Sequence, residues 1–140
     1  MNGLWNPSTQ AYDWAKHEDG SRVPANLTVL YPDALEQVWA VAFGLVPQKR
    51  ASSLLARIKA LHPELGDPDA PMPGGDGAQR VGYWAWAAAA WLAVGDRAEA
   101  DRLLGAVDSA AASAGRPWPF TTGNAGQILV VSGRLAGYPA

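Results

Sequence analysis

The chain of 140 residues lacks cysteine, any excess of basic charge and any long uninterrupted apolar run. Without cysteine it can form no disulfide framework and no thiolate metal site, and it has no thiol nucleophile. Its formal net charge is −2, so the composition gives no electrostatic sign of nucleic-acid binding. The longest apolar run, Tyr83 to Val94, is well short of the roughly 20 residues that span a bilayer. We therefore expect neither nucleic acid nor a membrane as a partner.

The common sequence signatures of nucleotide binding and hydrolysis are also missing. There is no Gly-x-Ser-x-Gly, and the glycine-rich run from Gly74 to Gly77 has neither the lysine nor the preceding strand of a phosphate-binding loop. His17 lies near a predicted turn and His62 at a predicted helix end, and neither has a second histidine at metal-ligand spacing. We predict no metal site and no cofactor. Residues 1–20 lack the apolar core of a signal peptide, so we expect a soluble chain whose compartment stays open.

What the chain does contain is helix-forming sequence with a regular alternation of two helix types. Hydrophobic residues make up 49% of the chain. Their spacing predicts five helices, at about residues 32–46, 47–61, 78–94, 96–113 and 125–135. The first, third and fifth are polar only in their first turn and are therefore predicted to be buried, whereas the second and fourth have one apolar stripe each. The pattern predicts an all-α fold, an array of antiparallel helical hairpins.

Residues 1–31 do not follow this helical pattern. Turn signals at Asn6-Pro7-Ser8 and Glu18-Asp19-Gly20-Ser21 interrupt them. Between the turns, Thr9–Ala15 can form a strand that pairs with Arg22-Val23. We therefore expect a single domain over residues 1–140, with an irregular or β-hairpin segment at 1–31 and helical hairpins at 32–137.

The connections between the predicted helices are asymmetric. The turns that leave the buried helices are short, whereas residues 62–77 and 114–124 form long loops that lead into them. The buried helices begin near residues 33, 78 and 124, a period of about 45 residues that is typical of helical-hairpin arrays. One end of the array therefore collects the long loops and the polar first turns, and we expect a binding site on that face.

Several segments resemble one enzyme superfamily. They are Tyr31–Trp39 followed by Phe43–Leu45, the Gly95-Asp96 turn, and the Trp118–Phe120 loop before Thr121–Gln127. Together they resemble the C-terminal part of the six-hairpin glycosidase superfamily, the (α/α)6 toroids. The resemblance implies a carbohydrate ligand, catalysis by two carboxylates and aromatic platforms around a funnel. It also implies that this chain is part of a larger barrel or self-associates, because two and a half hairpins cannot close a toroid.

Carboxylates on the loop face are the candidate catalytic groups. Inverting glycoside hydrolysis needs a protonated and an ionised carboxyl roughly 6.5–9.5 Å apart. Asp33 and Asp76 each stand at the start of a buried helix, and Glu36 lies one turn into the first. An aspartate at a helix start can equally be a cap or a partner of the helix dipole, and that alternative stays open. Further carboxylates on this face are those of Asp13, Glu18 and Asp19.

The candidate substrate-binding groups are aromatic or polar side chains on the same face. They are Tyr31, Trp14, Trp118, Phe120, Gln37 and Arg80. Aromatic rings in loops can stack on sugar rings, but they can equally pack the loops onto helix ends. Arg80 can reach the site or simply pair with Asp76.

Two functions from different classes follow from these patterns. The first is a carbohydrate-active protein, a fragment of a glycoside hydrolase-like toroid that binds or hydrolyses a glycan at the loop face. The alternative is a non-catalytic helical-hairpin scaffold or self-assembling interaction module. A cleft with facing carboxylates and exposed aromatic rings would favour the first, whereas acidic residues that only cap helices would favour the second.

Overall fold

The computed structural model describes residues 2–67 and 77–113, without the side chains of residues 2, 77–80 and 110–113. Within these ranges the chain forms four α-helices: α1 Leu35–Ala42, α2 Gln48–Leu61, α3 Gly77–Ala93 and α4 Arg97–Ser113. The predicted helix-dominated fold is confirmed, and α2, α3 and α4 lie within about one residue of their predicted positions. The arrangement as part of a toroid stays a prediction, and the fifth predicted helix at 125–135 lies outside the described residues. None of the described helices has the length and hydropathy needed to cross a membrane.

The N-terminal segment forms two very short antiparallel hairpins. A 3-10 turn at Asn2–Leu4 leads into β1 Trp5–Asn6, which pairs with β2 Ala11–Tyr12. β3 Ala15–Lys16 then pairs with β4 Arg22–Val23. The expected hairpin is therefore present, but the single strand predicted at Thr9–Ala15 is split.

The split occurs because the backbone changes its hydrogen-bond partner at Asp13 and Trp14. The Asp13 N–H donates to the Leu4 carbonyl at 2.9 Å, and the Trp14 N–H donates to the Val23 carbonyl at 2.7 Å. The chain thus passes from one two-stranded ribbon to the next without a turn between them.

The entry into α1 differs from the prediction that a helix begins at Pro32. Tyr31 is extended, with φ −119° and ψ 130°, and the Tyr31–Pro32 peptide bond is cis. The residue before a proline is sterically disfavoured in the α region, so the chain makes a wide turn over Leu30–Ala34 first. The regular α-helix therefore begins only at Leu35 and ends at Ala42, before Gly44 with its φ of 73°.

The turn between α3 and α4 follows the sequence pattern closely. Gly95 has a φ of 87°, a left-handed conformation that glycine adopts without steric cost. The Asp96 side chain then accepts a hydrogen bond from the Glu99 N–H at 3.0 Å, as an N-cap does. The predicted helix stop and start are both confirmed.

The buried residues form two groups. The first core lies between the N-terminal segment, α1 and α2 and includes Tyr12, Leu35, Val38, Leu54 and Ile58. The second core lies between α3 and α4 and includes Val81, Trp84, Ala88, Leu103 and Val107. α3 also packs against α1, and its Ala90 belongs to the first core, so α3 connects the two.

Candidate functional site

A cleft of about 170 Å³ lies where the N-terminal segment meets the first turns of α1. Its polar and aromatic lining residues are Tyr12, Asp13, Trp14, Asp33, Glu36 and Gln37. The structure thus brings together five of the residues that the sequence suggests for this face: Asp13, Trp14, Asp33, Glu36 and Gln37. They come from two segments of the chain that lie about 20 residues apart in sequence.

Asp33 joins the helix entry to the N-terminal segment. Its Oδ2 accepts hydrogen bonds from the Trp14 indole N–H at 3.2 Å and from the Asn26 backbone N–H at 2.7 Å. The first residues of α1 receive no side-chain cap. Asp33 therefore makes no side-chain cap, because its carboxylate turns towards the loop, but it still lies in the first turn of the helix entry, as the helix-dipole alternative requires. Its Oδ1 has no hydrogen-bond partner within residues 2–67 and 77–113.

Gln37 holds the Tyr12 backbone against α1. Its side-chain Nε2 donates to the Tyr12 carbonyl at 2.9 Å, and its Oε1 accepts from the Tyr12 N–H at 3.0 Å. Gln37 is 5% exposed. Both polar atoms of the Gln37 amide are thus hydrogen-bonded to the Tyr12 backbone. Gln37 lies in the cleft wall, and its amide holds the N-terminal segment against α1.

Asp13 forms a buried polar cluster behind the cleft. It accepts hydrogen bonds from the Asn6 amide at 3.0 and 3.2 Å, and from Arg22 at 2.7 Å. The Asp13 side chain is fully buried, whereas that of Arg22 is 30% exposed. The Arg22 guanidinium therefore balances the charge of Asp13, as buried carboxylates require.

Glu36 differs from these two aspartates. It is half-buried in the cleft wall, and its carboxylate has no hydrogen bond or ion pair with any residue that the structure describes. The Glu36 carboxylate remains open to water and can therefore accept hydrogen bonds from a ligand without breaking a contact with a described residue.

The aromatic residues at the site are exposed to different degrees. Trp14 lines the cleft and is 42% exposed, whereas Tyr31 is 63% exposed and lies outside the lining. Tyr12 lines the cleft but is only 5% exposed, and its ring packs edge-on against that of Trp5 at 5.2 Å. The Tyr12 hydroxyl is buried without a hydrogen-bond partner among the described residues.

Most of the remaining predicted positions lie outside the residues that the structure describes. Asp76, Trp118 and Phe120 lie outside the described residues, and so does the side chain of Arg80. At the tip of the second hairpin, Asp19 accepts hydrogen bonds from the Ser21 hydroxyl and N–H, which lower the pKa of its carboxyl. The hairpin tip is therefore an ordinary turn.

His62 is more than the helix terminator that the sequence predicts. It is 5% exposed, its Nε2 lies 2.6 Å from the Leu27 carbonyl, and its Nδ1 lies 3.1 Å from the Glu64 carboxylate. His62 thus attaches the loop before α1 to the end of α2. No group of three or more metal-ligating side chains occurs in the part of the chain that the structure describes.

Sequence reasoning missed the contacts that position the cleft residues. The donors to Asp33 and Asp13 include a backbone N–H at Asn26 and an amide at Asn6, and no sequence pattern indicates either contact. Asn26 does have a local signal, since its side chain accepts bonds from the Thr28 N–H and hydroxyl, which is an Asx turn.

Comparison with protein-family models, with curated proteins and with solved structures gives no match for this chain. The cleft geometry therefore provides the basis for the functional argument.

Proposed function

We propose that this chain binds a carbohydrate in the cleft between the N-terminal segment and α1. The observation that carries the proposal is Glu36, a half-buried carboxylate without a partner among the described residues, in a wall that also presents the exposed ring of Trp14. Sugar hydroxyls donate hydrogen bonds to carboxylates, and the apolar faces of sugar rings stack on indoles. The Oδ1 of Asp33, which has no hydrogen-bond partner among the described residues, adds a second acceptor to the same site.

The hydrogen bonds that Asp13 and Asp33 already accept favour glycan binding over glycan hydrolysis as the function of the cleft. A hydrolase needs one carboxyl that holds a proton and a second that is ionised. Asp13 accepts three hydrogen bonds and Asp33 accepts two, so both are suited to the acceptor role of an ionised carboxylate. Glu36 alone among the described cleft carboxyls has no donor, and hydrolysis would need a second carboxyl opposite it. Glycan cleavage is therefore treated as a separate activity, which is assayed on the same glycans as binding.

The alternative, a self-assembling scaffold, is favoured by a different surface. Phe43 and Leu45, at the end of α1, are each 53% exposed. The Phe43 ring packs against that of the partly buried Trp86 at 5.6 Å, so exposed apolar side chains adjoin at this end of the molecule. Burial of such a surface in a second copy of the chain would stabilise an oligomer.

A glycan-array screen followed by titration calorimetry distinguishes the two functions. We expect Trp14→Ala to weaken binding of a retained glycan at least about tenfold, a typical effect of losing an aromatic contact at the centre of a site. Trp14→Phe keeps a stacking ring but removes the N–H bond to Asp33, and we expect a smaller loss. Phe43→Ser is the matched control, because Phe43 is an exposed aromatic residue outside the cleft, and we expect it to bind normally.

The carbohydrate function and the scaffold function predict different results. Equal binding by the wild type and Trp14→Ala would overturn the carbohydrate proposal for this cleft. If no glycan binds and the molar mass measured by light scattering falls with Phe43→Ser, the scaffold function is supported instead. Release of reducing ends that depends on Glu36 would extend the proposal to hydrolysis.

A further inference from the structure

We infer that His62 and Glu64 together hold a proton that attaches the loop before α1 to the end of α2. Loss of this proton at higher pH releases the loop, so the pair forms a pH-sensitive latch beside the cleft. The latch acts on the protein itself and therefore operates whichever ligand the cleft binds.

The His62 imidazole lies between two hydrogen-bond acceptors. Its Nε2 is 2.6 Å from the Leu27 carbonyl oxygen, and its Nδ1 is 3.1 Å from the Oε1 of Glu64. A neutral imidazole carries one N–H and can donate to only one of these oxygens. The other contact then needs a further proton, either on the ring or on the Glu64 carboxyl. The two side chains therefore share one proton more than a neutral imidazole and a carboxylate carry together.

Burial prevents water from taking the place of this proton. The side chains of His62 and Glu64 are 7% and 9% exposed. His62 is also the only hydrogen-bond partner of the Glu64 carboxyl among the described residues. A buried carboxylate needs a cation or a proton beside it. The shared proton meets this need and satisfies both ring nitrogens, whereas its loss leaves two buried lone pairs facing each other.

The other groups packed around the pair do not replace the proton. Glu64 is the charged side chain that pairs with His62 in residues 2–67 and 77–113. On α2, the Lys59 ammonium is paired with a carboxylate of α4 at 2.7 Å, and the charge of Asp67 acts on a guanidinium of that helix. From α3, the neutral Trp84 indole donates to the Glu64 backbone carbonyl at 3.0 Å. The charge of the Glu64 carboxyl is thus balanced within the pair.

The loop that His62 holds forms part of the cleft wall. Leu27 is 5% exposed and belongs to the first core, and Ala25 lines the cleft. Between them, the Asn26 N–H donates to Asp33 at 2.7 Å. Release of the Leu27 carbonyl removes the contact that fixes these positions on α2. The cleft wall is therefore fixed while the proton is bound and loosened once it is lost.

The pH dependence of the latch has a defined sign. A histidine exposed to water loses its charge near neutral pH. With the loop detached, the chain therefore binds fewer protons than it does with the loop attached. The attachment must then weaken as the pH rises, because high pH favours the state that binds fewer protons.

Amide hydrogen exchange, resolved residue by residue, tests the latch at about pH 6 and about pH 8.5, on either side of the range in which histidine changes its charge. The probes are the amides of Asn26 and Val29, which are hydrogen-bonded in the attached loop, and the reference is the amide of the buried Leu103 in α4. After correction for intrinsic exchange rates, we expect protection at the probes to fall at least about tenfold at the higher pH, the effect of losing one charge-assisted hydrogen bond. Protection of the reference amide should stay the same.

Glu64→Gln is the variant that isolates the proton. Its side-chain amide donates an N–H to the Nδ1 of neutral His62, so both ring nitrogens are satisfied without a shared proton. We expect equal protection of the loop at both pH values. His17→Gln is the matched control, because His17 is the other histidine of the chain and is exposed, and it should keep the pH dependence of the wild type.

Three results would overturn the latch. One is equal protection of the wild-type loop at both pH values. Another is a fall in Glu64→Gln as large as in the wild type, since the proton would then act elsewhere. The third is disappearance of the fall in His17→Gln. No ligand takes part in these measurements, so their outcome is independent of whether the cleft binds a glycan.

Discussion

The N-terminal segment and the α3–α4 hairpin are held in place by different kinds of contact. The first is attached to α1 and α2 through polar contacts. Two of them are buried, Gln37 to the Tyr12 backbone and His62 to the Leu27 carbonyl, and one is exposed, Asp33 to the Asn26 N–H. The second packs mainly through alanine, leucine, valine and tryptophan side chains around the second core, and one buried hydrogen bond, from the Trp84 indole to the Glu64 carbonyl, attaches it to the end of α2.

The difference follows from how each region satisfies its backbone. Each strand of the N-terminal segment has two residues, so most of its backbone groups receive no partner from a strand ladder. Side chains such as Gln37 must supply those hydrogen bonds, because unpaired buried backbone groups are costly. The helices α3 and α4 form their own backbone hydrogen bonds, so apolar side chains are sufficient between them. The N-terminal segment, whose short strands leave backbone groups without ladder partners, is also the region that forms the cleft with α1.

The largest loss of stability should follow a substitution in the second core. Leu103 is fully buried between α3 and α4. We expect Leu103→Ala to lower the free energy of unfolding by about 2–5 kcal/mol, from lost burial and the resulting cavity. Chemical denaturation measures this, and Leu61→Ala is the control, because Leu61 is 41% exposed. If both variants lose the same stability, the second core does not depend on close packing.

The next effect should come from the buried charge of the N-terminal segment. Arg22→Met leaves the fully buried Asp13 carboxylate without its cation, and we expect a loss of about 2–4 kcal/mol, since the Asn6 amide remains. Arg97→Met is the control, because Arg97 pairs with Asp101 at 3.5 Å on an exposed helix face, and such pairs contribute less than about 1 kcal/mol. Equal losses in denaturant titrations would show that Asp13 is not held as a buried ion.

A somewhat smaller effect should come from the amide that joins α1 to the N-terminal segment. Gln37→Met removes both hydrogen bonds to Tyr12 at similar side-chain volume, and we expect a loss of about 2–3 kcal/mol from two unsatisfied backbone groups. Hydrogen exchange should show faster exchange at Tyr12 and its neighbours than in α3 and α4. Gln48→Met, at an exposed glutamine, is the control, and similar exchange in both variants would contradict the polar attachment.

The smallest effect should be a pH dependence in the helical region. Arg102 donates hydrogen bonds to Glu99, and together with Lys59 it lowers the pKa of Glu99 from 4.5 to about 2. Because the folded pKa is below the unfolded one, the stabilisation is complete above about pH 4.5 and is lost as the pH falls towards 2. We expect less than about 1 kcal/mol, as is usual for pairs near the surface.

Glu99→Gln tests that pH dependence directly. The variant should lose the part of the acid-dependent destabilisation that comes from Glu99, which denaturation midpoints across this pH range measure. Glu18→Gln is the matched control, since Glu18 is an exposed carboxylate in the N-terminal segment. An unchanged pH profile in Glu99→Gln would show that the contacts with Arg102 and Lys59 contribute no stability.

The regular helices could be predicted from the sequence because their signals are local. The apolar stripe at Leu54, Leu55 and Ile58 predicted the buried face of α2, and Gly95 with Asp96 predicted the turn before α4. Apolar periodicity and caps depend only on neighbouring residues, so no tertiary information was needed.

The start of α1 and the roles of the cleft residues could not be predicted in the same way. Pro32 is favourable at a helix start, but the extended conformation of Tyr31 delays α1 to Leu35. Asp33 was compatible both with a cap and with a site residue, and its actual partners, Trp14 and Asn26, lie 19 and 7 residues away in sequence. A contact over such a distance depends on the fold and leaves no local pattern.

The sequence by itself determined the helix-dominated fold, the two helix types and the presence of acidic and aromatic residues near the entry of α1. Helix formation and apolar burial act over one or two turns, which is why they can be read from residue spacing. Only the tertiary structure decided which carboxylates were already occupied. Folding pairs Asp13 with Arg22, assigns Asp33 to the loop and leaves Glu36 without a partner among the described residues, because hydrogen bonds between distant segments form only once the N-terminal segment has packed on α1.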